Sequence, residues 1–123
     1  MWNLAFSTQW PRDVKHYEKK RSRELAAVLR NLGQRYVPML NASPNAKAVQ
    51  AGFLHHEPEG VVAIDQKGGG AGLQETRLYT FADDSTHTLW LITVGNKNEQ
   101  PEDIQFCQKF VESLKAESES KGQ

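Results

Sequence analysis

The chain has 123 residues, 38% of them hydrophobic, with a formal net charge of zero and a mean hydropathy of −0.64, which is enough for one domain with a thin core and gives no reason to divide it. No apolar run approaches the roughly 18 residues of a membrane span, and the first basic residue is Arg12, so no signal-peptide pattern is present and a cytoplasmic protein with no membrane contact is expected. The single cysteine, Cys107, excludes an internal disulfide and reads as a small core residue.

Zero net charge hides an asymmetry. Arg12, Lys15, Lys19, Lys20, Arg21, Arg23, Arg30 and Arg35 against Asp13, Glu18 and Glu24 leave residues 1–36 at +5, and the remainder at −5. The basic half can contact phosphate or simply form a solvated helix face.

Along the chain, "WNLAF" (2–6) alternates with period two and predicts a short strand. Ser7 or Thr8 can cap the helix that follows. Trp10, Val14 and Tyr17 form one turn-spaced stripe and Leu25, Val28, Leu29 and Leu32 another, a helical hairpin that Gly33 and Pro38 should end near 36–40. Ser43-Pro44 predicts a short helix through Val49, closed by Gly52, "HHEPEG" reads as loop, and "VVAID" (61–65) as a strand. The glycines of "QKGGGAG" predict a flexible connection, with no Gly-Lys-Ser/Thr to make it a phosphate loop.

"LQETRLYTF" and "HTLWLITV" predict two antiparallel strands joined by "ADDST", the second ended by Gly95. Period two sets Glu75, Arg77, Tyr79 and Phe81 on one face. A last helix is expected from Pro101, with Ile104, Cys107, Phe110, Val111 and Leu114 as its apolar stripe, and residues 117–123 as a polar tail. The sum is one α+β domain over 1–116, with helices on one face of a small, mainly antiparallel sheet. The loop Asn96-Lys97-Asn98-Glu99-Gln100 is unexplained by these boundaries.

The order of a "WNLAFS" strand, a helical hairpin, "GLQETRLYTF", a short turn, "LWLITVGNKNEQPEDI" and a closing helix resembles the RelE/ParE superfamily of toxins from bacterial toxin–antitoxin modules, the HigB-like branch above all. The resemblance is most specific over residues 72–114. Over 1–36 it is an order of elements, and residues 41–60 have no counterpart and read as an insertion. It implies a RelE-like fold and a cytoplasmic toxin that cleaves mRNA, in many members on the ribosome, and is silenced by a cognate antitoxin protein. The ParE branch, which inhibits gyrase, implies the alternative of a non-catalytic binding module, as does a toxin relic that has lost cleavage.

By that resemblance Arg77 matches the strand arginine and Lys97 the basic residue after the last strand. Gln100 matches the polar position closing the loop, and Lys67 the basic residue preceding the middle strand. The C-terminal tyrosine or histidine of several RNA-cleaving members has no equivalent, because no Tyr follows Tyr79 and no His follows His87.

Metal-free RNA cleavage needs a base for the 2′-OH, cations for the phosphorane and a proton for the leaving oxygen. Arg77 and Lys97 suit the second task, although Arg77 can equally pair with Glu75. Glu75, Tyr79 and His87 are candidates for base and acid. Tyr79 joins Lys67 and Gln100 as a substrate-binding candidate. His55 and His56 cannot share a face if extended, and with His16 and His87 they form no familiar metal spacing, so neither metal nor other cofactor is expected. Trp10, Tyr17 and Tyr36 have the spacing of core residues rather than of base-stacking ones.

Overall fold

The alternation in residues 2–6 produces a strand, β1 (Asn3–Phe6), in the computed structural model, which describes residues 1–121 and the side chains of residues 1–119. Ser7 ends it: its Oγ accepts from the Trp10 N–H at 3.2 Å and donates to the Ile92 carbonyl, tying the start of α1 (Trp10–Lys20) to the sheet. Pro11 in the first turn and Lys19 and Lys20 in the last suit the two ends of that helix. Arg21 leaves helical geometry and α2 (Ser22–Arg30) begins.

The helical run does not stop at Gly33. Wider π-helical turns over Asn31–Tyr36 carry it into α3 (Val37–Asn41), and such turns accommodate Pro38, which has no N–H to give and needs room at the preceding turn. The helix expected from Ser43-Pro44 is only a 3₁₀ turn, Ala46–Ala48, because Asn45 is extended and caps that turn by accepting from the Ala48 N–H.

"HHEPEG", expected as loop, opens with the end of a strand. β2 (Leu54–His56) pairs antiparallel with β3 (Val61–Asp65), and positive φ at Glu59 and Gly60 makes the tight reversal between them. β4 (Thr76–Asp83) and β5 (Thr88–Asn96) form the expected hairpin, and β5 continues through Gly95 rather than ending there. α4 (Gln100–Lys121) starts one residue before Pro101 and remains helical over 117–121, where expectation had a polar tail; residues 122–123 lie outside the description.

The sheet order is β1-β5-β4-β3-β2, with β1 parallel to β5 and every other pair antiparallel. Helices cover both faces, which corrects the expectation that they share one. Leu54, Val62, Ile64, Leu78, Leu89, Leu91 and Val94 pack with Trp10, Tyr17, Leu25, Val28, Leu32 and Tyr36 of the N-terminal helices. The alternate residues Val61, Ala63, Tyr79 and Ile92 pack with Cys107 and Val111 of α4. A one-residue bulge between Tyr79 and Thr80 changes the parity of β5, which is how Leu91 and Val94 serve the first core and Ile92 the second. Each fully buried Leu, Ile or Val in these layers contributes about 1.5–3 kcal/mol. The fold is α+β, and among the described residues no helix is long and apolar enough to cross a membrane.

The glycine-rich segment is fastened rather than loose. Asn31 Nδ2 donates to the carbonyls of Asp65 and Lys67, Arg23 donates to the Ala71 carbonyl, and Glu24 accepts from the Gln74 N–H at 2.9 Å. Gly69 lies so close to α2 that a Cβ there would stand 2.5 Å from the Ala27 methyl group, whereas a Cβ on Gly33 would meet nothing within 4 Å. Gly69→Ala is therefore expected to lower stability by about 1–3 kcal/mol by overpacking, while Gly33→Ala raises it by about 0.5–1 kcal/mol. Urea denaturation of the two variants checks both signs.

Candidate functional site

Three register partners end the sheet on the α4 face: Asp65 on β3, Arg77 on β4 and Gly95 on β5. One pleat further in, the corresponding positions, Ala63 and Tyr79, are fully buried under α4. Arg77 is thus held at the border between core and solvent, its side chain 16% exposed and its Nε buried without a partner. Its guanidinium reaches Glu75 Oε1 through Nη2 at 3.3 Å and stands 4.0 Å from Glu57 through Nη1.

The loop after β5 explains itself once its bonds are traced. Asn96 Oδ1 accepts from the Glu99 N–H and Glu99 Oε1 accepts from the Asn96 N–H, a reciprocal cap on the 3₁₀ turn Lys97–Glu99 that leads into α4. Asn96 and Glu99 therefore have a local structural task. Lys97 and Gln100 turn to Glu75: Lys97 Nζ stands 3.9 Å from Oε2 and Gln100 Nε2 donates to Oε1 at 3.4 Å. Arg77, Lys97 and Gln100 thus converge on one carboxylate. Lys97 is 75% exposed, so its ion pair contributes at most about 1 kcal/mol.

The other candidates separate. Lys67 lies on the neighbouring flank, its Nζ 3.5 Å from Asp65 and donating to the Gly52 carbonyl at 2.9 Å. Tyr79 shares the strand face of Arg77 but is fully enclosed, and burial pushes its hydroxyl pKa up; it cannot touch a substrate and belongs to the core. His87 precedes β5 at the opposite end of the strand from Lys97, with its ring stacked on Trp2 at 4.6 Å and its carbonyl accepting from the Asn3 N–H. Nine residues of strand separate it from the Arg77 end, so it cannot act with Arg77. Trp10, Tyr17 and Tyr36 are buried, as their spacing indicated.

The sequence reading missed Glu57 and Asp65, which border Arg77, and His55, which lies on the same face beside Asp65. His55 Nε2 lies 2.8 Å from Asp65 Oδ2, and Asp65 also accepts from the Lys67 N–H at 2.8 Å. His56 turns the other way, to the Val49 carbonyl. The available signal was "PEG" between two β-compatible runs, which puts His55 and Glu57 on one face of a hairpin strand. Among the described residues no group of three or more His, Cys, Asp or Glu is arranged to hold a metal ion.

A second acidic locus lies behind Gly95. Asp103, in the first turn of α4, sets its carboxylate where a side chain on residue 95 would begin, and Thr93 Oγ1 donates to Asp13 nearby. A cleft of about 350 Å³ between α1 and the 96–99 loop is lined by Asp13, Tyr17, Lys20, Arg21 and Glu99 and does not include Arg77. No protein-family model matches the chain, and no curated protein sequence matches it.

Burial, then the charges of Glu99, Asp13 and Glu102, raise the pKa of Asp103 from 3.8 to about 7. Between these values the folded protein keeps a proton that the unfolded chain has released, so stability falls as pH rises through this window and stays lower above it. Asp103→Asn is expected to remove that loss, adding on the order of 1–2 kcal/mol at pH 8 after allowance for partial solvent screening, and little below pH 4. Urea midpoints at the two pH values check the difference.

Proposed function

We propose that this chain is the toxin component of a bacterial toxin–antitoxin module, a cytoplasmic, metal-free mRNA endoribonuclease that inhibits translation and is neutralised by a cognate antitoxin. The observation that carries this reading is the convergence of Arg77, Lys97 and Gln100 on the Glu75 carboxylate. A carboxylate presents two anionic oxygens, as a phosphodiester does, and a donor set that gathers around one can hold the other. Glu75 is 38% exposed and sits between the glycine-rich segment and β4, so a phosphate can displace it by a side-chain rotation. The arginine fork then binds two phosphoryl oxygens and Lys97 adds charge as the phosphorane forms.

The basic helices support an acidic antitoxin segment as partner. Arg12, Lys15, Lys19 and Lys20 are exposed along α1, beside the exposed apolar residues Leu4 and Phe6 of the edge strand β1. An amphipathic acidic segment that folds on binding has matching chemistry.

One observation favours the second reading, a non-catalytic binding module of the gyrase-inhibitor or relic type. Glu57, Glu75 and Asp65 all crowd the cations, and an anionic substrate must outcompete them. Expression of the wild-type chain alone in a bacterial host separates the two, with growth and 5′-end mapping of mRNA as readouts. The toxin reading expects arrested growth and new mRNA ends. Lys97→Ala should weaken the arrest with little change in melting temperature, because its side chain is exposed. Arg77→Lys keeps a charge but loses the fork, and should abolish cleavage at a cost of about 1–3 kcal/mol in stability, since its acidic neighbours lose hydrogen bonds. Arrest without cleavage supports the binding module, and full growth with abundant folded protein rejects the toxin.

A further inference from the structure

We infer that His55, held by Asp65, is the general base of the proposed RNA-cleaving site, taking the 2′-hydroxyl proton of the nucleotide whose phosphate Arg77 binds. The inference rests on the endoribonuclease reading and supplies the proton acceptor that neither Tyr79 nor His87 can be. Three features carry it.

The first is orientation. Asp65 is only 3% exposed and its carboxylate can only accept, so His55 Nε2 is the donor in their 2.8 Å contact. In the neutral ring the lone pair is then fixed on Nδ1. Asp65 is itself held by the Lys67 N–H at 2.8 Å and by Lys67 Nζ at 3.5 Å, so the ring is supported by a built arrangement rather than by a free surface carboxylate. Asp65 is a positioning residue.

The second is access. The His55 side chain is 28% exposed, against 4% for that of Asp65, so the ring meets solvent while its partner does not. That is the division a proton acceptor and its positioning group require.

The third is placement across the sheet. In the order β5-β4-β3-β2, Arg77 lies on β4, with Lys97 beyond the end of β5 on one flank and Asp65 and His55 on β3 and β2 on the other. In-line displacement at phosphorus puts the entering 2′-oxygen and the departing 5′-oxygen on opposite sides. His55, paired with Ala63, lies one pleat inward of the Asp65–Arg77–Gly95 row and Lys97 lies two residues beyond it, so the imidazole and the ammonium stand on diagonally opposite sides of Arg77, three strands apart.

His55 Nδ1 takes the 2′-OH proton, O2′ bonds to phosphorus, the P–O5′ bond breaks, and the 5′-oxygen takes a proton from the Lys97 ammonium. Water returns the proton from His55 to Lys97. The products are a 2′,3′-cyclic phosphate and a 5′-hydroxyl.

The test uses the full chain in a reconstituted bacterial translation mixture with a defined reporter mRNA, reading fragments with 5′-hydroxyl and cyclic-phosphate ends. His55→Ala is expected to slow cleavage by about 100-fold or more, and added imidazole to restore part of it. Asp65→Asn should slow the enzyme that has His55 by about tenfold, yet leave the imidazole-rescued His55→Ala rate unchanged, a split that simple structural damage would not give. If His55→Ala does not fold, His55→Gln, which keeps a donor for Asp65, replaces it and must show the same loss. A folded His55 variant that cleaves within about threefold of wild type, or a folded His55→Ala protein that imidazole does not rescue, overturns the assignment and leaves the endoribonuclease reading standing. Wild-type protein that yields no fragments overturns both.

Discussion

The candidate site depends on the register that aligns Asp65, Arg77 and Gly95 across β3, β4 and β5. One pleat further in, on β3 and β4, the face belongs to α4 and accepts only apolar or fully enclosed side chains. At the terminal row α4 has no apolar residue left to offer, since its first turn carries Glu102 and Asp103. On β3 and β4 charge is therefore allowed there and not deeper, while at the edge strand β2 His55 and Glu57 lie further in, opposite Ala63 and Val61. Gly95 completes the row because Asp103 occupies the space of a side chain at that position. A one-residue slip of β4 would place Arg77 under the N-terminal helices and expose Leu78, so the same hydrophobic pattern that builds two cores also fixes where the arginine emerges.

Glu75 links this row to the rest of the chain. It follows a segment whose carbonyls and N–H groups are held by Arg23, Glu24 and Asn31, all on the helical run that covers the other face. The π-helical turns beginning at Asn31 put that amide where it can serve Asp65 and Lys67 together. Packing of the N-terminal helices thus sets the starting point of β4, and through it the carboxylate around which Arg77, Lys97 and Gln100 gather. The cluster is balanced rather than purely cationic. It holds the arginine in place, and under the proposed function a phosphate must compete with Glu75 for the same donors.

The sequence carried the strong patterns well. Period two in "LYTF" and "HTLWLITV" gave the β4-β5 hairpin, and the spacing of Trp10, Tyr17, Leu25 and Val28 gave the buried side of the first helices, because each pattern reports burial directly. It failed where one local signal had two meanings. Gly33 and Pro38 are helix breakers in isolation, but π-helical turns accommodate them. The glycines at 68–72 signal freedom, yet Gly69 is required by closeness to Ala27. β2 is three residues long, too short for its period to be visible, and losing it hid His55 and Glu57. Arg77, Lys97 and Gln100 were legible as a group because they lie next to strongly patterned elements. His87 was grouped with Arg77 although it precedes β5, while the antiparallel pairing of Arg77 with Gly95 puts the arginine at the other end of that strand.

A net charge of zero is a poor guide to what such a surface can hold. Lys67, Arg77 and Lys97 lie along one end of the sheet, and Arg35, seated 3.9 Å above the Phe53 ring, borders the glycine segment near Gly68. Acidic residues are concentrated elsewhere too: Asp13, Glu99, Glu102 and Asp103 form a separate pocket behind Gly95, where burial and mutual repulsion raise the pKa of Asp103. The glycine gap at residue 95 therefore gives Asp103 its place in this acidic pocket. At the Arg77 end, the acids that remain are paired: Glu75 with Arg77, Lys97 and Gln100, Glu57 with Arg77, and Asp65 with His55 and Lys67. A polyanion approaching the protein meets a field set by this local arrangement within a Debye length of about 8–10 Å, and the distant carboxylates that bring the total to zero are screened from it.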